Sequence, residues 1–367
     1  MDLGGTSKLV GATARRLVAV ARPAADDAIG VVRGMVAKTE LERLEPALRG
    51  KLDAPAVAGE ALIGAKRMPG DVKVATANLH MGTPAGGALN NVGNESIDAL
   101  RGDAAAILRE DPDVVFLQEV RQHAAGTGTA GVAEQASVMA HLLGASDVVF
   151  TPAVARIEGL HEGYGTAIVL RRGAKFEDVF NARLTNHDPA IEARSVGVGH
   201  VRFADGNDAL VANTHLANRP QEDIALRVEQ LHDIGGIVDG ARAGGTATYR
   251  DVATGAEHTV AGLPTRGVIL AGDMNQMQHP TSQVLDQHGL TNIINRFADN
   301  PNASAKRVLE ASAPTAEHQG TYHRIDHIEV DDTYDVADAG LAKVGTLIQG
   351  DTDHHFVMAL LRPKGSA

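Results

Sequence analysis

The chain has 367 residues, 44% hydrophobic and 22% charged, a globular composition that excludes an intrinsically disordered polypeptide. Cys and Trp are absent and aromatics make up only 3%, which excludes a disulfide framework, thiolate metal sites and a Cys nucleophile and leaves Ala, Val, Leu and Ile to build the core. The net charge of −12 divides unevenly, +3 over residues 1–70 and −15 over the remainder, so the larger part lacks the basic footprint of a tight, passive nucleic-acid binder.

Residues 1–70 read as a helical N-terminal extension. Leu9-Val10, Ala14, Leu17-Val18 and Ala21 fall near helical spacing until Arg22-Pro23, and further apolar series run from Ile29 to Val36 and from Leu41 to Leu48. Ala19-Val20-Ala21 has the form of a signal-peptide cleavage site, but Arg15-Arg16 interrupts the apolar stretch before it. An export element or a docking site for a protein partner is the other expectation for this segment. No apolar run reaches the roughly 18 residues of a membrane span, and localisation stays open between the cytoplasm, slightly favoured, and secretion.

From Asp71 the pattern changes. Val72–Thr76 is a short β-rich run, and Ile97, Leu100, Ala104, Ile107 and Leu108 mark an amphipathic helix that stops at Asp111-Pro112. Val114–Leu117 is a continuous apolar run of buried-strand type. Val196, Val198 and Phe203 share a strand, Asp205-Gly206 signals a turn, and Leu210–Thr214 returns. Ile224–Val238 reads as a helix and Gly244–Pro264 as a loop or small hairpin insertion. Val268–Ala271, Ile325–Val330 and Phe356–Leu361 complete the strands. The alternation predicts one α/β domain over 71–363, followed by a short tail, 364–367.

Polar residues sit at the ends of these strands: Asn78, Gln118-Glu119, His215, Asp273 with Asn275, Asp326, and Asp353-His354. In α/β sheets, sites form beyond strand ends. A single such residue is more often a turn or cap residue, and a lone His is more often a satisfied core residue; six strand ends with this chemistry make a stronger signal. Carboxylate and amide oxygens without thiolates are hard ligands suited to Mg²⁺, with Mn²⁺ or Ca²⁺ as alternatives. Histidines with carboxylate partners suit proton transfer near neutral pH. Together they form a phosphoryl-transfer toolkit.

The ordered set Ala75-Thr76-Ala77-Asn78-Leu79-His80, Asp113–Val120, Tyr164-Gly165-Thr166-Ala167-Ile168, Asn213-Thr214-His215-Leu216, Leu270-Ala271-Gly272-Asp273-Met274-Asn275, Arg324-Ile325-Asp326-His327-Ile328 and Thr352-Asp353-His354-His355 resembles the endonuclease/exonuclease/phosphatase superfamily. Each motif alone is weak; the series, over about 280 residues, is specific. The resemblance implies a four-layer sandwich of two packed mixed β-sheets flanked by helices. It implies Glu119 as principal metal ligand with Asn78 beside it, and Asp353 binding metal or pairing with His354. It further implies Asp273 activating or orienting water, Asn275 on the phosphate or a second metal, His354 and His215 facing the phosphate, and Asp326 fixing the tautomer of His354. Tyr164, Glu162 and, by a looser match, Arg194 are candidates for substrate contact or support.

Thr352, Met274, His327 and Thr166 depart from the family's usual residues, and none of these changes removes a ligand. The implied activity is divalent-metal-dependent phosphodiester hydrolysis, with nucleic acid the first substrate class and a lipid head group or small-molecule phosphoester the second. A non-catalytic binding module of the same fold is the alternative from another class. The stretches 82–93 and 244–264 are expected to set substrate choice.

Overall fold

The computed structural model describes residues 60–82, 97–121, 135–154, 164–187, 192–218, 223–242, 245–318, 321–342 and 353–365, with positions 55 and 57 and without 253 and 264. The N-terminal helices expected over 9–48, the cleavage-site motif, the docking element, Glu162, Thr352 and most of 82–93 lie outside the described residues.

Two six-stranded mixed sheets form the fold. The first has the strand order β15-β16-β1-β2-β4-β3 and the second β11-β14-β10-β7-β6-β5. In the first, β1 (Val72–Asn78) runs parallel to β2 (Val114–Arg121), and both are flanked by antiparallel neighbours, β16 (Phe356–Pro363) and β4 (Tyr164–Leu170). Beyond these lie β15 (Tyr334–Ala342) and β3 (Asp147–Val154). The second sheet repeats the plan. Here β10 (Val268–Asp273) runs parallel to β7 (Asp208–His215), flanked by antiparallel β14 (Asp326–Val330) and β6 (Ser195–Arg202). The outer strands are β11 (Thr291–Asn292) and β5 (Lys175–Arg183).

These central strands are β-branched and aliphatic runs buried on both faces. The outer face of the first sheet packs against α1 (Ile97–Glu110) and α2 (Gln135–Leu142) through Leu100, Ile107, Met139 and Leu143. The outer face of the second packs against α3 (Ile224–Ala241) and α4 (Gln278–Leu285) through Leu231, Ile234, Val238 and Leu285. Two shorter helices, α5 (Ile293–Ala298) and α6 (Ala305–Ala311), follow. This is the four-layer arrangement expected from the resemblance.

Between the sheets the packing is partly polar. Gln118 on β2 donates through Nε2 to Oδ1 of Asn213 on β7 at 2.8 Å, and Asn213 Nδ2 donates back to the carbonyls of Leu117 and Ala167 at 3.0 and 2.8 Å. Buried amides satisfied on both sides fix how one sheet sits on the other.

Several elements were not legible in the sequence: β3, β5, β11 and β15, helix α2, and the short helices after β10. The expected insertion over 244–264 is a hairpin of β8 (Thr246–Arg250) and β9 (Glu257–Ala261). The described end of the N-terminal segment departs from the helical expectation. Residues 61–70 form no helix and are fastened to the main domain. Ile63 N donates to Glu110, and Gly64 N and Ala65 N donate to Asp338 Oδ2 at 2.8 and 3.0 Å. Arg67 pairs with Asp113. Backbone groups satisfied by distant carboxylates hold the chain extended where helical periodicity is absent.

Candidate active site

The parallel strands β1, β2, β7 and β10 all end at one edge of the sandwich, and antiparallel β14 and β16 begin there. That topology converts six separate sequence positions into one cluster. Asn78 ends β1, Glu119 lies near the end of β2, His215 ends β7, Asp273 ends β10, Asp326 opens β14, and His354 lies just before β16.

Two backbone devices aim the side chains. Glu119 sits in a bulge of β2, where Gln118 and Glu119 together oppose a single residue of β4, and its φ is +53°. Asn275, just past β10, has φ +47°. A left-handed conformation at a residue with a Cβ costs about 1–2 kcal/mol, and such strain persists where surrounding structure imposes it, commonly at functional sites. Gly272 precedes Asp273 at φ +154°, and a Cβ there would lie 2.1 Å from the carbonyl oxygen of Thr214. Only glycine lets β10 approach β7 so closely at the site.

Asp273 is the hub. Asn78 Nδ2 reaches its Oδ2 at 3.0 Å and also reaches Glu119 Oε1 at 3.1 Å. The backbone N–H of Asn275 donates to Asp273 Oδ1 at 2.8 Å, while the Asn275 side chain donates to Leu216 O at 3.0 Å. Nε2 of His215 and Nε2 of His354 lie 3.6 and 3.8 Å from Asp273 Oδ2. Burial, reinforced by the charge of Asp326 and opposed by His354, Asn275 and Asn78, pushes the Asp273 carboxyl up to about 7.

The two histidines are opposite in character. His354 Nδ1 bonds Asp326 Oδ2 at 2.8 Å. Burial disfavours its charge, but Asp326, Asp273 and Asp353 outweigh that and hold its pKa well above the ordinary value. His215 is pushed well below its ordinary value by burial, by Arg194 and by His354. Its Nδ1 lies 3.3 Å from the Tyr164 hydroxyl; with that hydroxyl donating, the proton of the neutral ring is on Nε2, facing Asp273. The site thus holds one imidazolium and one neutral imidazole around a carboxyl poised near neutrality.

Arg194 is 1% exposed and reaches Glu192 Oε2 at 3.5 Å. Its Nε and Nη1 have no hydrogen-bond partner among the described residues. Its charge acts on Tyr164 and His215, so of the three proposed support residues the structure brings Tyr164 and Arg194 beside the histidine. Asp353 is the most open member, 39% exposed on its side chain, with Oδ1 3.8 Å from His354 Nε2.

The donor set fits a hard divalent cation. Glu119, Asn78 and Asp353 offer oxygens, and Asp353 Oδ1 and Asp326 Oδ1 are buried atoms without a hydrogen-bond partner among the described residues, as oxygens awaiting a cation would be. The tightest trio of ligand-type atoms among the described residues is Asp273, Asp326 and His354, all within 4.8 Å of one another. Two of these form the hydrogen-bonded dyad just described, where the proton of His354 already supplies positive charge.

The sequence missed Thr315. Its Oγ1 accepts from the backbone N–H groups of Ile325 and Asp326 at 3.0 and 3.1 Å. Its carbonyl accepts from His355 N at 2.6 Å, and the next residue, Ala316, bridges to His354. One threonine therefore sets the spacing between Asp326 and His354. A Thr after a Pro carries no sequence signal of that role. Glu192 was also missed; its spacing of two residues from Arg194 was the available signal.

Comparison with known proteins agrees with this fold. A structure from Beutenbergia cavernae described as an endonuclease/exonuclease/phosphatase is 21% identical, with a TM-score of 0.55 over 81% of this chain and 72% of that one. A mannosyl-6-phosphatase from Bacteroides thetaiotaomicron is 18% identical, with a TM-score of 0.54 over 79% of this chain and 99% of that one. D. rerio TDP2 complexed with single-strand DNA product is 16% identical, with a TM-score of 0.51 over 80% and 99%. No curated protein matches the chain. The model of the Endonuclease/Exonuclease/phosphatase family matches residues 75–355, and the chain belongs to that family of metal-dependent phosphoesterases.

Proposed function

We propose that the protein hydrolyses phosphodiesters of nucleic acid as an endonuclease. The observation that carries this reading is that His354 and His215 both turn Nε2 to one oxygen of Asp273, at 3.8 and 3.6 Å. A phosphodiester requires a base for the attacking water and donors for two non-bridging oxygens. Asp273, oriented by Asn275 and Asn78, accepts the proton of water. His354, charged and locked by Asp326, donates to a phosphate oxygen, and neutral His215 donates through Nε2. Glu119, Asn78 and Asp353 are the residues that would hold the divalent cation. That cation supplies charge neutralisation at the phosphate and stabilises the departing oxygen; Mg²⁺ is the choice that best matches an all-oxygen set.

The test is nicking of supercoiled plasmid by the full chain with Mg²⁺ or Mn²⁺, with an EDTA control and the His354→Ala variant. Nicking that requires both metal and His354 supports the proposal; absence of nicking by folded, metal-loaded protein overturns it.

The second reading is a small-molecule or lipid-head-group phosphoesterase. The net charge of −15 beyond residue 70 disfavours a long polyanion, and one of the neighbours of the same fold is named a mannosyl-6-phosphatase. Release of inorganic phosphate from sugar phosphates, or of phosphocholine from sphingomyelin vesicles, in the absence of nicking would establish it.

A further inference from the structure

We infer that His327, on the face of β14 opposite to that of Asp326, is a positioning residue for Asp326 and so for the Asp326–His354 pair; the inference rests on the phosphoesterase reading of that site. Side chains alternate along a strand, so His327 and Glu329 share one face of β14, and both are fully buried. His327 Nε2 lies 3.3 Å from the carbonyl oxygen of Arg324, and Nδ1 lies 3.3 Å from Glu329 Oε1. A carbonyl only accepts, so Nε2 carries a proton. Nδ1 faces a carboxylate, and a second proton held between them is what keeps two lone pairs from opposing each other. The ring is therefore fixed from both sides. Glu329 is held in turn: its Oε1 accepts from Asn292 Nδ2 at 2.8 Å, and Asn292 Oδ1 caps α5 by accepting from Ile294 N at 3.0 Å.

These contacts end at the segment that delivers Asp326. Arg324 is clamped twice: His327 holds its carbonyl, and its Nη1 donates to Ala311 O and Ala313 O at 2.7 and 3.0 Å, at and just past the end of α6. Ile325 O accepts from Met274 N at 2.8 Å, next to Asp273. The backbone just before Asp326 is thus tied to α6, to β14 itself and to the strand end that carries Asp273. The tie through His327 is independent of Thr315. Folding alone gives no reason to seal a histidine and a glutamate behind this strand, because apolar side chains of similar volume commonly serve stability as well or better. Burial pushes the Glu329 carboxyl up, against the opposing effect of His327 and Asn292. What the pair supplies, and an apolar pair would not, is a directed bond to the Arg324 carbonyl. Loss of that bond would free the carbonyl and loosen the alignment of Asp326 with Nδ1 of His354.

The experiment compares wild type, His327→Phe, His327→Gln and Glu329→Gln in plasmid nicking with Mg²⁺ and in imidazole NMR of the metal-free full chain. His327→Phe keeps the ring and loses both nitrogens; kcat should fall roughly tenfold or more while KM stays within about twofold, and the ring signals of His354 should shift. His327→Gln keeps a donor for the carbonyl and should recover part of the lost kcat, which a purely structural role would not give. If His327→Phe folds poorly, Glu329→Gln carries the test. It keeps the shape of the pair and removes the carboxylate that orients the ring, and kcat and the His354 signals should move in the same direction. If the wild type nicks no plasmid, the nuclease reading fails and the His354 signals alone decide the inference. Wild-type kcat in folded His327→Phe, an equal loss of kcat in His327→Gln, or His354 signals unmoved in both His327→Phe and Glu329→Gln overturns it.

Discussion

The amide of Asn78, at the end of a strand of one sheet, donates to the carboxylate of Asp273, at the end of a strand of the other, at 3.0 Å. The same nitrogen reaches Glu119, and the amide oxygen accepts from His80 N at 3.0 Å. Asn78 therefore ties Asp273 to Glu119 across the sheet interface. Asn78→Ala should cost about 1–3 kcal/mol in stability by leaving buried groups unpaired. It should also weaken metal affinity by roughly 10–100-fold. Urea unfolding and metal titration check both, and unchanged values would remove Asn78 from the site.

Glu119 separates function from folding. Its φ of +53° strains any residue with a Cβ and not glycine. Glu119→Gly should be more stable than Glu119→Ala by about 1–2 kcal/mol, while both lose metal-dependent turnover. Equal stabilities would mean the bulge relaxes when the carboxylate is gone.

The charged state of His354 sets a pH dependence in metal-free protein. Its folded-state pKa lies above the ordinary value, after burial is outweighed by Asp326, Asp273 and Asp353. Its contribution is complete below the unfolded value of about 6.5 and is lost as pH rises through the folded value. Asp273, raised chiefly by burial to about 7, acts in the same direction: stability falls as pH climbs from the ordinary carboxylate range to that value. Asp326→Asn should lower the pKa of His354 and flatten the decline. Imidazole NMR titration and denaturation at pH 6 and pH 9 measure this; an unmoved His354 titration would refute the dyad.

Thr315 acts through two backbone bonds rather than on substrate. Thr315→Val keeps the shape and leaves the N–H groups of Ile325 and Asp326 without their acceptor, a loss of about 1–3 kcal/mol. With Asp326 displaced, kcat should fall while KM changes little. Wild-type kcat in the folded variant would show that Asp326 needs no such support.

The sequence displayed the site better than the scaffold around it. Asn78, Asp273 and His354 stand at the ends of apolar runs, where strand periodicity marks them, and their order is specific. Helix α2 was hidden because residues 135–142 are buried nearly all round, leaving no amphipathic stripe to detect. The edge strand β5 mixes Lys175, Glu177 and Asp178 with Phe176 and Phe180, and its pairing is interrupted by a bulge. Short strands such as β11 exist only through their partner β14. The strain at Glu119 is likewise invisible in sequence, since Gln-Glu after an apolar run gives no sign of a bulge.

The turn around Asp205-Gly206 joins β6 to β7 at the end of β7 opposite His215. Its tip is exposed and Gly206 takes φ +85°. His215, and with it the candidate site, lies at the far end of β7. A tether, dye or affinity tag inserted there would stand a full strand length, roughly 25 Å for eight residues, from the chemistry. That turn is therefore the natural attachment point for holding single molecules on a surface with the active edge presented to substrate.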